Sequence, residues 1–118
     1  MIPTVHRNTL NSLVEVINQM HDMERKIRKI QETNSLHRNF LRIKESLEHS
    51  LDINGGGLLW LDPLGEKYDL TRTDCEANLS GSGVENLVIT DVIKPIIYLK
   101  KDGQRTLVQR GVVVVQST

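Results

Sequence analysis

Apolar positions between residues 9 and 51 recur at helical spacing. Leu10, Leu13, Ile17 and Met20 are separated by three, four and three residues, and Ile27 keeps their register. Glu24 stands where that stripe calls for another apolar side chain. A second stripe follows in Leu36, Phe40, Ile43 and Leu47. The remaining faces of both segments are polar, so each buries one stripe, against a helix of the same chain or of a second copy. Pro3-Thr4 or Asn8-Thr9 supplies the start of the first helix, which extends to about Gln31. Thr33-Asn34-Ser35 competes with the helix for its own backbone groups and marks a break, either a kink or a reversal. Ser35 or Asn34 then caps a second helix over Leu36–Leu51.

Asn54-Gly55-Gly56-Gly57 ends the helical part, because successive glycines accept positive φ. From there the pattern becomes one of short apolar runs between turns. Leu58–Leu61 reads as a strand, Asp62-Pro63-Leu64-Gly65 as a tight turn, and Glu66–Leu70 as the returning strand. Thr71–Leu79 fits no single element, and Ser80-Gly81-Ser82-Gly83 is a loop. Further strands are expected at Asn86–Ile93, Ile96–Lys100 and Arg105–Gln109, the last two joined by an Asp102-Gly103 hairpin turn. Val112–Gln116 closes the chain, and its four valines imply burial on both faces or an edge covered by another element. The expected class is α+β. A helical coiled-coil or bundle arm over 1–54, broken near 33–35, precedes a small antiparallel β domain over 55–118.

Composition adds a reason to expect assembly. A β unit of about 60 residues is marginal alone, and the chain has one Trp, one Phe and two Tyr to fill a core. A homo-oligomer, with a dimer favoured, shares that core between copies. Leu13, Ile17, Met20, Leu36, Phe40, Ile43 and Leu47 are its expected interface. Fifteen basic and fifteen acidic residues cancel, which argues against non-specific nucleic-acid binding. The run Arg25-Lys26-Ile27-Arg28-Lys29 reads as a solvated helix face. Cys75 is the single cysteine, so neither an intramolecular disulfide nor a Cys-rich zinc site can form. The first residues lack a basic stretch followed by an apolar core, and no apolar run reaches bilayer length. A soluble, cytoplasmic protein without a membrane partner is expected.

No residue set has the spacing of a catalytic site, a metal site or a cofactor site. Gly55-Gly56-Gly57 lacks the Lys-Ser/Thr of a phosphate loop. His6, His21, His37 and His49 form no i, i+4 pair and read as surface helical residues. Asp62, Glu66 and Asp69 read as solvated turn carboxylates, and Cys75 has no basic neighbour closer than Arg72.

The β half resembles the GrpE family of nucleotide exchange factors. Leu61-Asp62-Pro63-Leu64-Gly65-Glu66-Lys67-Tyr68-Asp69 is similar to the family's apolar-polar-Pro turn leading to Gly, a charged residue, an aromatic and Asp. Glu76-Ala77 looks like its Glu-Ala. Asn86–Val92 is similar to the first strand of its carboxy-terminal motif, and Tyr98–Val115 to the rest. Leu13–Ile27 and Leu36–Leu51 correspond to the two helices ahead of the β domain. Leu70 stands where the family usually has Pro, Val108-Gln109-Arg110 replaces its Arg-Pro-Ala or Arg-Ala-Ala, and the long upstream stalk is missing. The resemblance implies a homodimer joined through a helix bundle. Its β domain would bind a DnaK-type ATPase chaperone, with Tyr98, Lys101 and Arg105 as candidate contacts, and promote ADP release without chemistry of its own. The other reading is a homo-oligomeric structural subunit, a helical stalk with a β head, that has no exchange activity.

Overall fold

The computed structural model describes residues 7–30, 35–51 and 57–118. Pro3-Thr4, Thr33-Asn34 and Asn54–Gly56, read above as helix signals, lie outside the described residues. Two helices come first, α1 (Arg7–Arg28) and α2 (Ser35–Leu51). Six strands follow: β1 (Gly57–Leu61), β2 (Cys75–Leu79), β3 (Leu87–Lys94), β4 (Ile96–Lys101), β5 (Gln104–Gln109) and β6 (Gly111–Ser117). The class is α+β with helices leading, as the change of period at residue 55 implies. One three-stranded sheet has the order β1-β4-β5 and the other β2-β6-β3. The chain divides into two compact units. The first holds the helices, the start of β1 and Leu99–Arg105; the second is Trp60–Tyr98 with Thr106–Thr118.

In the first unit, α1 packs against α2. Ile17, His21, Glu24 and Ile27 of α1 are buried, as is Phe40 of α2. His21 is therefore not the surface residue its spacing suggests. Gly103, at φ 77, and Asp102, at φ 51, close the β4–β5 connection with both central residues left-handed, the geometry that matches strand twist.

The second unit is built round β6. Its valines do not form an edge: β2 pairs with it in parallel, Cys75 opposite Gly111 through Leu79 opposite Val115, and β3 pairs with it antiparallel. The parallel pair makes this sheet mixed where an antiparallel domain is expected. A second difference is that Glu66–Leu70 does not return beside β1. Lys67 instead bridges Val88 on the outside of β3, with Tyr68 N–H donating to the Leu87 carbonyl and Ile89 N–H to that of Glu66. β1 finds its partner in β4. The turn before Lys67 forms as read: Leu64 N–H donates to the Asp62 carboxylate, Glu66 N–H to the Pro63 carbonyl, and Gly65 takes φ 84.

The core of this unit is Cys75, Ile89, Val92, Ile96, Val113 and Val115, with Tyr68, Ala77, Leu87 and Tyr98 packed round it. Ile89 and Val92 are three apart, which in a regular strand would put them on opposite faces. A register shift between Ile89 and Asp91 leaves Thr90 as an extra residue. That bulge sets Ile89 opposite Val115 and Val92 opposite Val113, all four on the core side. Both outer edges carry an arginine on an outward carbonyl: Arg110 Nη2 donates to Cys75 O at 2.7 Å and Arg72 Nη1 to Lys67 O at 3.0 Å. Occupied carbonyls and charged side chains blunt the strand-pairing tendency of an edge.

Gly111 lies where β6 enters this core. A Cβ there would stand 2.9 Å from Ile96 Cγ1 and 3.4 Å from Cys75 Sγ. Gly111→Ala should therefore cost about 1–3 kcal/mol by overpacking, measured by urea unfolding; an unchanged midpoint would contradict this placement.

Candidate functional site

The helix pair carries the most extensive candidate surface. Along α1, Leu13, Val16, Met20, Met23 and Ile27 follow one another at alternating steps of three and four, a heptad stripe that Ile30 continues just past the helix end. The stripe through Ile17 and Glu24 read from the sequence is the neighbouring one, about 60° round the helix, and it shares Leu13, Met20 and Ile27 with this one. That neighbouring face is the one α1 buries, and its centre is polar. Glu24 lies 3.2 Å from Arg28, 3.8 Å from Lys44 and 4.0 Å from His37 of α2. A buried carboxylate needs such partners, and α2 supplies two of them.

Orienting Glu24 toward α2 turns the heptad stripe partly outward. Val16, Met23 and Ile30 are exposed, while Leu13 and Met20 are half-buried. On α2 the same displacement occurs in the same sense. His37 and Lys44 face Glu24, and the residues just before them, Leu36 and Ile43, are exposed at 52% and 59%. Of the seven expected interface residues, Ile17 and Phe40 are thus buried in the unit itself. Leu13, Met20 and Leu47 are half-buried, and Leu36 and Ile43 face outward. Val16, Met23 and Ile30 are missing from that set. Their signal was the unbroken 3-4 spacing, passed over because Ile17 offers an equally good start.

The three candidate partner contacts fall in different places. Tyr98 is half-buried and packs against the core of the second unit. Lys101 and Arg105 are exposed and belong to the first unit, on either side of the Asp102-Gly103 turn.

The second unit shows an open cleft of about 690 Å³ lined by Tyr68, Leu70, Val84, Leu87 and Val88, with Lys67 and Asp69 at its polar parts. Leu70 is 91% exposed and Val84 71%. Leu70 is held there by a braced turn. The Asp69 carboxylate accepts the Thr71 N–H and hydroxyl, and Arg72 N–H donates to the Asp69 carbonyl. The Arg72 guanidinium donates to Asp74 at 2.6 Å and to Glu66 at 2.8 Å. Those bonds raise the Arg72 pKa above its already high value. Burial pushes the Asp74 carboxyl up, but the Arg72 hydrogen bond and charge outweigh it, and the net direction is down. Asp69 is also lowered, first by the Thr71 hydroxyl. Burial, and then the Asp74 charge, push the Cys75 thiol up to about 11. It stays protonated at neutral pH, the opposite of an activated nucleophile.

No family model, curated protein or solved structure matches the chain. Among the described residues no helix is long and apolar enough to cross a membrane.

The lowered Asp74 and Asp69 give the second unit a pH dependence of definite sign. A carboxylate depressed in the folded state lends stability that is complete above its unfolded pKa of about 3.9 and is lost as pH falls through the folded value. Urea unfolding at pH 7 and pH 3 should show a smaller acid loss in Asp74→Asn than in the wild type. Equal losses would mean that the Arg72 clamp does not hold that carboxylate.

Proposed function

We propose that the chain is a homodimeric nucleotide exchange factor of the GrpE type. It binds a DnaK-type ATPase chaperone in the cytoplasm and promotes release of ADP. The observation that carries this reading is the pair of outward apolar stripes on α1 and α2, on helices that precede a β unit. A connection of six residues, 29–34, favours α2 running antiparallel to α1. With the helices antiparallel, stripes displaced in the same sense lie on one side of the pair. Val16, Met23 and Ile30 then stand beside Leu36 and Ile43, and a second copy related by a twofold axis covers this face with its own, as in a four-helix bundle.

Exchange itself is differential binding: a factor that holds the open nucleotide cleft more tightly than the closed one shifts the ATPase toward release. Lys101 and Arg105 are the exposed cations for that contact, and Tyr98 supports the β unit from its core side. One observation favours the other reading, a structural subunit with no exchange activity. The Leu70–Val84 cleft is a second exposed apolar surface, and a subunit packed among several neighbours needs more than one.

Two measurements test the proposal. Released labelled ADP, followed after mixing with a preloaded DnaK-type chaperone, should rise faster with the protein than without it; no acceleration overturns the exchange-factor reading. Light scattering should give a dimer for the wild type. Met23→Glu or Ile43→Glu should weaken it about 100-fold or more, because each buries an unpaired charge. Dimer mass retained in both variants would contradict the helical interface. Phe40→Glu is not equivalent, since Phe40 is buried within the unit.

A further inference from the structure

β2 is an edge strand of the sheet β2-β6-β3, and its register with β6 decides which of its backbone groups are used. Gly111 N–H donates to the Asp74 carbonyl and Ser80 N–H to that of Val115. In a parallel ladder of that phase, Glu76 and Asn78 also turn their backbone bonds toward β6. Cys75, Ala77 and Leu79 turn theirs outward. Arg110 donates to the Cys75 carbonyl at 2.7 Å. The N–H and C=O groups of Ala77 and Leu79 have no partner among the described residues. Side chains do not shield them, since Glu76, Asn78 and Leu79 are all exposed. Beyond Ser80 the chain leaves strand conformation at Gly81, φ 85.

We propose that this edge pairs antiparallel with β2 of a second copy, about a twofold axis at Asn78, and joins the two sheets into one. The edge itself excludes the other registers. An axis at Glu76 or Ala77 would require the Cys75 carbonyl as an acceptor, where Arg110 sits. An axis at Leu79 would pair Ala77 with Gly81, outside the strand. With Asn78 on the axis, Ala77 N–H meets the Leu79 carbonyl of the second copy and Leu79 N–H meets its Ala77 carbonyl, each bond formed twice by symmetry.

The side chains fit the same register. Leu79, 46% exposed, covers the small Ala77 of the other copy. Glu76 lies opposite Ser80, whose oxygen accepts from Gln116 Nε2 at 3.2 Å and whose proton is left to donate. Like charges do not meet across the pair. Preorganisation favours a copy over a free peptide. Two open residues return few bonds, too few to offset the ordering of a flexible segment, whereas β2 of a second copy is already straightened against its own β6. The contact does not rest on the exchange-factor reading. It adds to the helical face a second, smaller contact between copies.

Disulfide trapping in the full chain reads the register. Residue 78 and its symmetry mate form a non-hydrogen-bonded pair with Cα atoms about 4.5 Å apart, within disulfide reach. Residue 76 and its mate lie about 14 Å apart. Both positions are exposed on one face, so random collision links them alike. Under copper phenanthroline, Asn78→Cys should form a reducible two-chain species at least about tenfold faster than Glu76→Cys or the wild type, whose Cys75 is buried. A mixture of Glu76→Cys and Ser80→Cys should link faster than either alone. The readout is a preference between positions and not a mass, so its failure is distinct from failure of the helical dimer. Equal rates at 76 and 78, or no linkage at 78, would overturn the pairing.

Discussion

The first unit depends on where one carboxylate goes. Glu24 is 5% exposed, and a charge removed from water to that extent must be met by opposite charge and hydrogen bonds or the fold loses several kcal/mol. Arg28 on its own helix and Lys44 and His37 on α2 meet it. Satisfying Glu24 fixes which face of α1 looks at α2. The better apolar stripe of α1, Leu13 through Ile30, then has to turn partly away. Three of the exposed aliphatics follow from that single orientation, each one residue before an inward polar one: Met23 before Glu24, Leu36 before His37, Ile43 before Lys44. A polar contact at the centre of a helix pair also sets register more sharply than interchangeable aliphatics do.

The second unit answers to a different constraint. Its small core is assembled from two non-adjacent parts of the chain around β6. Cys75 and Ala77 arrive in parallel on one side, and Ile89 and Val92 arrive antiparallel, through a bulge, on the other. With so few aromatics, each aliphatic position must be filled. The bulge at Thr90 brings a second residue of β3 into the core where regular alternation would have turned it to solvent. Gly111 gives Ile96 the space of a missing side chain. The arginines on the outer carbonyls blunt the edges of a three-stranded sheet too narrow to protect itself.

Much of this was legible in the residues. The second helix, the Asp62–Gly65 turn, the Asp102-Gly103 turn and the last four strands lie within a residue or two of where period and turn chemistry place them, and α1 ends three residues short of Gln31. The partners were not legible. Nothing local to Glu66–Leu70 distinguishes pairing with β1 from pairing with β3, since both choices satisfy the same alternation. Cys75–Leu79 has too few β-branched residues to announce a strand, and its place comes from β6, more than thirty residues later. On α1, two adjacent stripes compete. The sequence marks Glu24 as an anomaly, but only the cations of α2 explain it.

These parts support one picture of function by assembly and docking. The helix pair offers an apolar face suited to a second copy. The β unit presents a braced, outward leucine beside a cleft. Each surface exists because an inward requirement was met first: Glu24 satisfied, the β6 core filled, Arg72 shared among Asp74, Glu66 and Lys67. The most direct test of that ordering is a double-mutant cycle of Glu24→Gln and Lys44→Met in urea unfolding. A coupling of at least about 0.5 kcal/mol is predicted, as for charges in contact. Strict additivity would show that Glu24 does not orient α1 on α2, and that the outward stripes have another cause.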